Sequence, residues 1–286
     1  MNPNKLELAL TFIKSHPDAA ARELEMQSPE AVAELLDALP LKQCQQLIEH
    51  LLPPYSGRIF SQLPLELATE LLLDVNSSRV SSILRCVTKQ KRHQLLKALP
   101  EKTSTLCRLL LSYSEERVGA WMLVDIAILP ANCSAGEATK RITVAENFVD
   151  YSAIPVADEN LHIVGLADLK DLLRAKEGTK VAQLMREAPL SLFSQSSLAA
   201  AEHHEAWQHF DTLVVLNHKR QLVGLLRHVD LRRGLERFDT VAAAPRNELL
   251  GGIGEVYVTA LGAMLDLLSG ARTADKKSTK TMGVSL

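Results

Sequence analysis

Cysteine is scarce in this chain of 286 residues. Its four copies, Cys44, Cys86, Cys107 and Cys133, stand apart with no C-x-x-C spacing. Zinc ribbons and disulfide frameworks need such spacing, so these residues read as small buried side chains of a reducing compartment. Net charge is nearly absent as well: it is −2, and neither half carries a long run of one sign. A nucleic-acid binder normally has a basic excess, so that class is set aside. The opening MNPNKLELALTFIKSHPD lacks an apolar run long enough for a signal peptide, and a cytoplasmic protein is expected.

Long apolar runs are missing too. The nearest approach is LLGGIGEVYVTALGAMLDLLSG, residues 249–270, where Glu255 and Asp266 leave ten uncharged residues between them. A bilayer crossing takes about 20 apolar residues. Ile253, Val256, Tyr257, Ala260, Leu261, Met264 and Leu268 recur at helical spacing opposite a stripe of Glu255, Thr259, Gly262 and Asp266. The segment reads as an amphipathic helix seeking a partner surface, on its own domain, a second copy or another protein. No P-loop occurs, and no nucleophile–base set can be assembled from spacing. EHHEAWQHF, residues 202–210, fails the H-E-x-x-H pattern: Gln208 stands where the second His belongs, and His209 is five residues from His204. Five residues turn a helix by about 140° past one full turn, so the two imidazoles do not converge. It reads as a surface helix with Trp207 inward. GGIG, residues 251–254, lacks the strand and spacing of a dinucleotide loop and reads as a connector.

What is present begins with helices. In SPEAVAELLDALP, Ser28 is an N-cap, Pro29 occupies the first helical position, and Val32, Leu35, Leu36 and Leu39 share one face. The pattern returns at Cys44, Leu47, Ile48 and Leu51, and again at Val80, Ile83, Leu84 and Val87. Leu-Pro pairs at 39–40, 52–53, 63–64 and 99–100 punctuate the run, because proline disfavours helix at the residue before it and lacks the amide a helix interior uses. Short helices that each bury one face must stack, and residues 1–118 are expected to form a superhelical α domain.

From about Trp121 the pattern changes. VDIAIL reads as a strand, SAGEATKRITVAENF as a helix opened by Ser134 with Glu137 three residues on, AIPVAD and HIVGLA as strands, and DLKDLLRAK as a helix. A second pass follows in LSLF, SLAAAEHHEAWQHF, TLVVL, LVGLL and RHVDLRRGL. Gly165 and Asp171 recur fifty-nine residues later as Gly224 and Asp230, whereas Asp168 is answered by Arg227. This is an internal duplication of a β-α-β-β-α unit.

Each unit resembles a CBS (cystathionine-β-synthase) domain. The Leu-Pro-punctuated array, running through LLSYSEERVGAWM into such a pair, resembles the cytosolic part of the MgtE family of magnesium channels. The resemblance covers roughly residues 20–236. It implies a fold of class α plus α/β: an all-α superhelical domain over residues 1–118, CBS units over 119–177 and 178–238, and a linker, amphipathic helix and flexible tail over 239–286. In that family a connecting helix and five membrane helices follow; here residues 249–270 take the place of the connecting helix, and no span is expected.

The resemblance also implies where ligands would sit. CBS pairs that bind adenine nucleotides carry Gly, two apolar residues, Ser or Thr, two more residues, then Asp, the Asp holding the ribose hydroxyls and the hydroxyl residue helping with phosphate. A carboxylate can accept two hydrogen bonds from a cis-diol, and helix N-termini attract phosphate. Here Gly165 and Asp171, then Gly224 and Asp230, keep that frame, while Asp168 and Arg227 replace the hydroxyl. Asp168 would repel a phosphate, Arg227 would attract one, and either terminal Asp can instead serve its helix dipole. For magnesium, MgtE-type sensors crowd carboxylates between domains; the candidates here are Glu115 and Glu116 at the junction and Asp158 and Glu159 in a hairpin. Against that mechanism, residues 1–118 hold 14 acidic and 14 basic side chains, and LRRGLERFDTVAAAPRN is rich in arginine.

The expectation is a non-catalytic regulatory or interaction protein, with no obligate cofactor and with Mg2+ or an adenine nucleotide as the ligands to look for. A homodimer through the CBS pair is implied, with a protein partner at the last helix and neither nucleic acid nor a membrane span. Adenine-nucleotide sensing and a detached regulatory subunit of a magnesium transporter are the alternatives.

Overall fold

The computed structural model describes residues 10–144, 153–187 and 191–239. They fall into two compact units, one built from residues up to 75 with 82–101, the other from 76–81 with 102 onward. The predicted helix over 249–270 lies outside the described residues.

In the first unit, residues 10–15 are helical and are followed by α1 (Pro17–Glu25), α2 (Pro29–Ala38), α3 (Leu41–His50), α4 (Pro53–Gln62) and α5 (Leu65–Leu72). α6 (Ser77–Cys86) follows, its start through Ser81 belonging to the second unit, and then α7 (Lys89–Ala98). Proline sets the rhythm as expected. Leu39, Leu63 and Leu99 end their helices with extended backbone ahead of Pro40, Pro64 and Pro100, yet each amide still donates to the carbonyl four residues back. Each of these leucines is buried, so the helix stop is also a core residue. Helices pack against the next but one (α1 on α3, α2 on α4, α3 on α5, α5 on α7), which is the stacking of a superhelical array. Other side chains close the helix ends. The Tyr55 hydroxyl lies 2.5 Å and 2.9 Å from the carbonyls of Leu24 and Gln27, and Arg92 donates to the carbonyls of Leu84 and Arg85 at 2.6 Å and 2.9 Å. Gly57 is required by close approach, since a Cβ there would stand 2.4 Å from Cys86 Cβ.

The second unit opens with α8 (Glu101–Ser112) and a 3₁₀ turn at Val118–Ala120. It continues through β1 (Leu129–Pro130), α9 (Ala135–Val144), β2 (Ala153–Ala157), β3 (Ile163–Asp168) and α10 (Leu169–Arg174). After a second 3₁₀ turn at Val181–Gln183 the plan repeats as β4 (Leu192–Phe193), α11 (Leu198–Glu202), β5 (Thr212–Leu216), β6 (Leu222–Arg227) and α12 (His228–Asp239). Each half is a three-stranded sheet, β1-β2-β3 and β4-β5-β6, with the first pair parallel and the second antiparallel. Even the register shift recurs, between Val156 and Ala157 and between Val215 and Leu216.

Two local expectations are corrected. VDIAIL is not one strand: only Leu129–Pro130 pairs with β2, because Leu123 bridges Leu225 in the other sheet and Asp125 turns to meet α6. There the Asp125 carboxylate accepts from the Ser77 amide at 2.7 Å and the Ser77 hydroxyl at 3.2 Å, capping the helix start. The helix predicted through residue 210 stops at Glu202 and resumes as a 3₁₀ turn over Glu205–Gln208. His204 is extended, and its Nδ1 accepts from the Ala206 amide at 3.3 Å, which competes with helix continuation. Trp207 does pack against the second half's core, its indole N–H donating to the Ala201 carbonyl at 2.7 Å.

Candidate functional site

The duplicated corners are the turns from β3 into α10 and from β6 into α12. Both begin at a glycine, and the reason is steric. A Cβ on Gly165 would meet the Arg186 carbonyl oxygen at 2.8 Å and Met185 Sδ at 2.9 Å; on Gly224 it would meet the Leu123 carbonyl at 2.5 Å and Met122 at 3.1 Å. The occupants are an added edge segment on each sheet. Leu166 and Arg186 exchange amide–carbonyl bonds of 2.9 Å in both directions, and Leu225 and Leu123 do the same at 3.0 and 2.7 Å. The sequence reading missed these segments. Their signal is a second repeat, Val118 to Met122 in VGAWM and Val181 to Met185 in VAQLM, each opening on a 3₁₀ turn. The glycine seats are therefore filled by the chain's own backbone.

In the second corner, Arg227 and Asp230 form a fork: Nε donates to Oδ2 at 2.6 Å and Nη2 to Oδ1 at 3.1 Å. Arg233 adds a bond of 3.3 Å to the same Oδ1. The Asp230 side chain is 13% exposed, while those of Arg227 and Arg233 are 31% and 64% exposed. A nearly buried carboxylate is thus held by two guanidiniums, in the geometry that Arg–carboxylate pairs favour. A cis-diol would have to compete with both for the same lone pairs.

The first corner carries the opposite sign and finds a different partner. Asp168 stands at the start of α10 without capping an amide, and its carboxylate accepts from Arg186 Nη2 at 3.0 Å. The Arg186 guanidinium also lies 5.3 Å from the Phe210 ring centroid. Sequence reasoning did not single out Arg186, which sits one residue past Met185, as Leu123 sits past Met122. Asp171 is half-buried in the first turn of α10, where a carboxylate suits the helix dipole.

The four metal candidates sit as two pairs with separate tasks. Glu115 is in an ion pair with Arg237 at 3.3 Å, and its carbonyl accepts the Trp121 indole N–H at 2.7 Å. Glu116 is exposed, and its carbonyl accepts from the Leu198 amide. Asp158 shapes the β2–β3 hairpin: Oδ1 accepts from the amides of Asn160 and His162 at 2.9 and 2.8 Å. Those amides hold its carboxyl below the usual carboxylate range, the His162 amide contributing most. Glu159 beside it is exposed. In the second half, Asn217 does the same work with a neutral amide, its Oδ1 accepting from Lys219 and Gln221 at 2.9 and 3.0 Å. The turn therefore needs an oxygen acceptor and not a charge. Among the described residues no three His, Cys, Asp or Glu side chains group as metal ligands do, and these carboxylates do not fit a magnesium cage, which wants converging oxygen ligands.

Burial pushes the thiols of Cys44 and Cys107 up to about 12, so neither is a thiolate near neutral pH. All four cysteines are free. Among the described residues no helix is long and apolar enough to cross a membrane.

With this geometry in place, comparison with known proteins gives the following. Residues 15–116 match the MgtE intracellular N domain and residues 118–178 the CBS domain. The cytosolic domain of the Mg2+ channel MgtE, solved in complex with ATP, is 20% identical with a TM-score of 0.70, covering 78% of this chain and 92% of that one. The soluble part of a magnesium transporter is 19% identical with a TM-score of 0.58, covering 84% and 99%. At such identities these likenesses establish the fold. The uncharacterized protein YtoI of Bacillus subtilis (strain 168) is 22% identical over 86 residues, or 30% of this chain, and the chain spans 20% of its length.

Proposed function

We infer, from an MgtE intracellular N domain continuing into a CBS domain, a non-catalytic regulatory or interaction module whose ligand response is reduced relative to the magnesium-sensing domains it is related to. The observation that carries this reading is the self-neutralised pair of corners. Arg227 is held on Asp230 and Asp168 on Arg186, so both residues standing where nucleotide binders have a hydroxyl are occupied by internal partners. The acidic candidates add support, since Glu115 is neutralised by Arg237 and Asp158 holds a hairpin. The working domain limits are 1–118, 119–177 and 178–238; the location is cytoplasmic, and the assembly a homodimer through the CBS pair.

The test is a calorimetric titration of the full chain with Mg2+ up to about 10 mM and, separately, with ATP and AMP, paired with small-angle scattering. Reduced response predicts no saturable heat and an unchanged radius of gyration. Saturable low-millimolar magnesium binding with compaction would make the protein a magnesium sensor and overturn the reading. A nucleotide heat abolished by Asp230→Ala would favour adenine-nucleotide sensing instead, the ligand class that the ATP-bound relative suggests.

A further inference from the structure

The first unit is nearly neutral in total but not in distribution. From Pro17 to Ala38, across α1 and α2, stand six acidic residues, Asp18, Glu23, Glu25, Glu30, Glu34 and Asp37, against Arg22 alone. From Val75 to Pro100, across α6 and α7, stand six basic residues and no Asp or Glu at all. Some basic groups have local work: Arg92 holds the carbonyls that end α6, and Lys91 donates to the Leu63 carbonyl. Lys89, His93 and Lys97 are exposed and fall on one face of α7 at i, i+4 and i+8. On α2, Glu30, Glu34 and Asp37 fall at i, i+4 and i+7, with Glu30 and Asp37 exposed. At about 1.5 Å rise per residue the two stripes run roughly 12 Å and 11 Å, a match in length as well as in sign.

We propose that the α7 stripe of one copy docks on the α2 stripe of a second copy, giving a salt-sensitive association separate from any pairing of the CBS units. The two stripes are different surfaces of one unit, so the contact joins unlike faces: it closes as a two-fold pair where both stripes of each copy meet at once, and otherwise propagates as a chain or ring. Exposed ion pairs are individually weak and screened within about 8–10 Å at physiological salt. The association is therefore concentration-dependent and is lost as ionic strength rises.

Sedimentation velocity of the full chain tests this, at about 20 mM and about 300 mM NaCl over a tenfold concentration range. At low salt the weight-average sedimentation coefficient rises with concentration; at high salt it does not. Lys89→Glu with Lys97→Glu abolishes the low-salt rise, as does Glu30→Lys with Asp37→Lys, and mixing the two double variants restores it. The neutral pair Lys89→Gln with Lys97→Gln, read with circular dichroism, separates lost association from lost folding. No salt-dependent growth in the wild type overturns the proposal. Growth abolished by the α7 changes but untouched by the α2 changes also overturns it, because the basic face would then be meeting an anionic surface other than α2.

Discussion

Replacing Arg227 by Thr removes the fork and places a hydroxyl where nucleotide-binding relatives carry one. The loss comprises two charge-assisted hydrogen bonds, at 2.6 and 3.1 Å, to a carboxylate that is 13% exposed. Bonds to charged groups contribute about 1.5–3 kcal/mol when buried. Because the guanidinium is itself partly exposed and Arg233 remains at 3.3 Å, we discount the change to about 1–2 kcal/mol. That corresponds to a fall in Tm of roughly 2–8 °C. The same substitution frees one face of Asp230. If Arg227 is what keeps a ribose diol out, Arg227→Thr binds ATP or AMP at least about tenfold more tightly than the wild type, a difference of about 1.4 kcal/mol. Adding Asp230→Asn returns the affinity to the wild-type level. Differential scanning fluorimetry and calorimetry on the same preparations read both effects. A wild type that binds as tightly as the variant, or a variant with unchanged Tm, would refute the reasoning that the fork both holds the corner and occupies the carboxylate.

Two further outcomes follow from the same corners and hairpins. Gly224→Ala places a methyl 2.5 Å from a backbone oxygen. Overpacking of that kind costs about 1–3 kcal/mol and lowers the urea midpoint, whereas Gly178→Ala, with nothing within 4 Å of the added Cβ, leaves it nearly unchanged; equal effects at the two sites would contradict the close-approach account. Acid tests the hairpin and the start of α9. Asp158 is held below its ordinary range by the His162 amide, and Glu137 by the Ser134 amide. A carboxylate depressed in the folded state binds fewer protons there than in the unfolded chain. Its stabilisation is therefore complete above about pH 5 and is lost as pH falls through the usual range near 4 toward the depressed value. Asp158→Asn keeps the acceptor that Asn217 supplies in the other half, so at neutral pH the midpoint should hold while its decline between about pH 5 and 3 becomes shallower.

Much of this fold was legible because its rules are local. Proline stops the helices where a buried leucine precedes it, and the fifty-nine-residue echo of Gly165 and Asp171 marks the duplicated corner in the sequence itself. Pairings set by distant residues stayed hidden. Nothing near Leu123 says that its partner is Leu225, or that Arg186 reaches back to Leu166; only the VGAWM and VAQLM echo hinted at it. The extended helix read through His203 and His204 failed because a side-chain acceptor displaced the helical bond, a competition that apolar periodicity does not register. At the site, Arg227 closes β6 three residues before Asp230 in the first turn of α12, close enough in sequence for opposite charges to meet across the corner. The sequence leaves Asp230 open to a ribose diol or to its own helix dipole and offers Arg227 to a phosphate; the pairing of the two with each other is what it does not give.

Comparison of the two halves distinguishes what each charge does. At the hairpins Asp158 and Asn217 are interchangeable, so charge there is incidental to the turn. At the corners Asp168 and Arg227 differ in sign, and each has recruited a partner of the opposite sign, Arg186 from the added edge segment and Asp230 from its own helix. A corner that adapts its neighbour to cancel its own charge presents little field to an incoming ion, whether magnesium or phosphate. Binding at such a corner requires an internal pair to open first, and that opening weakens apparent affinity in proportion to how rarely it occurs.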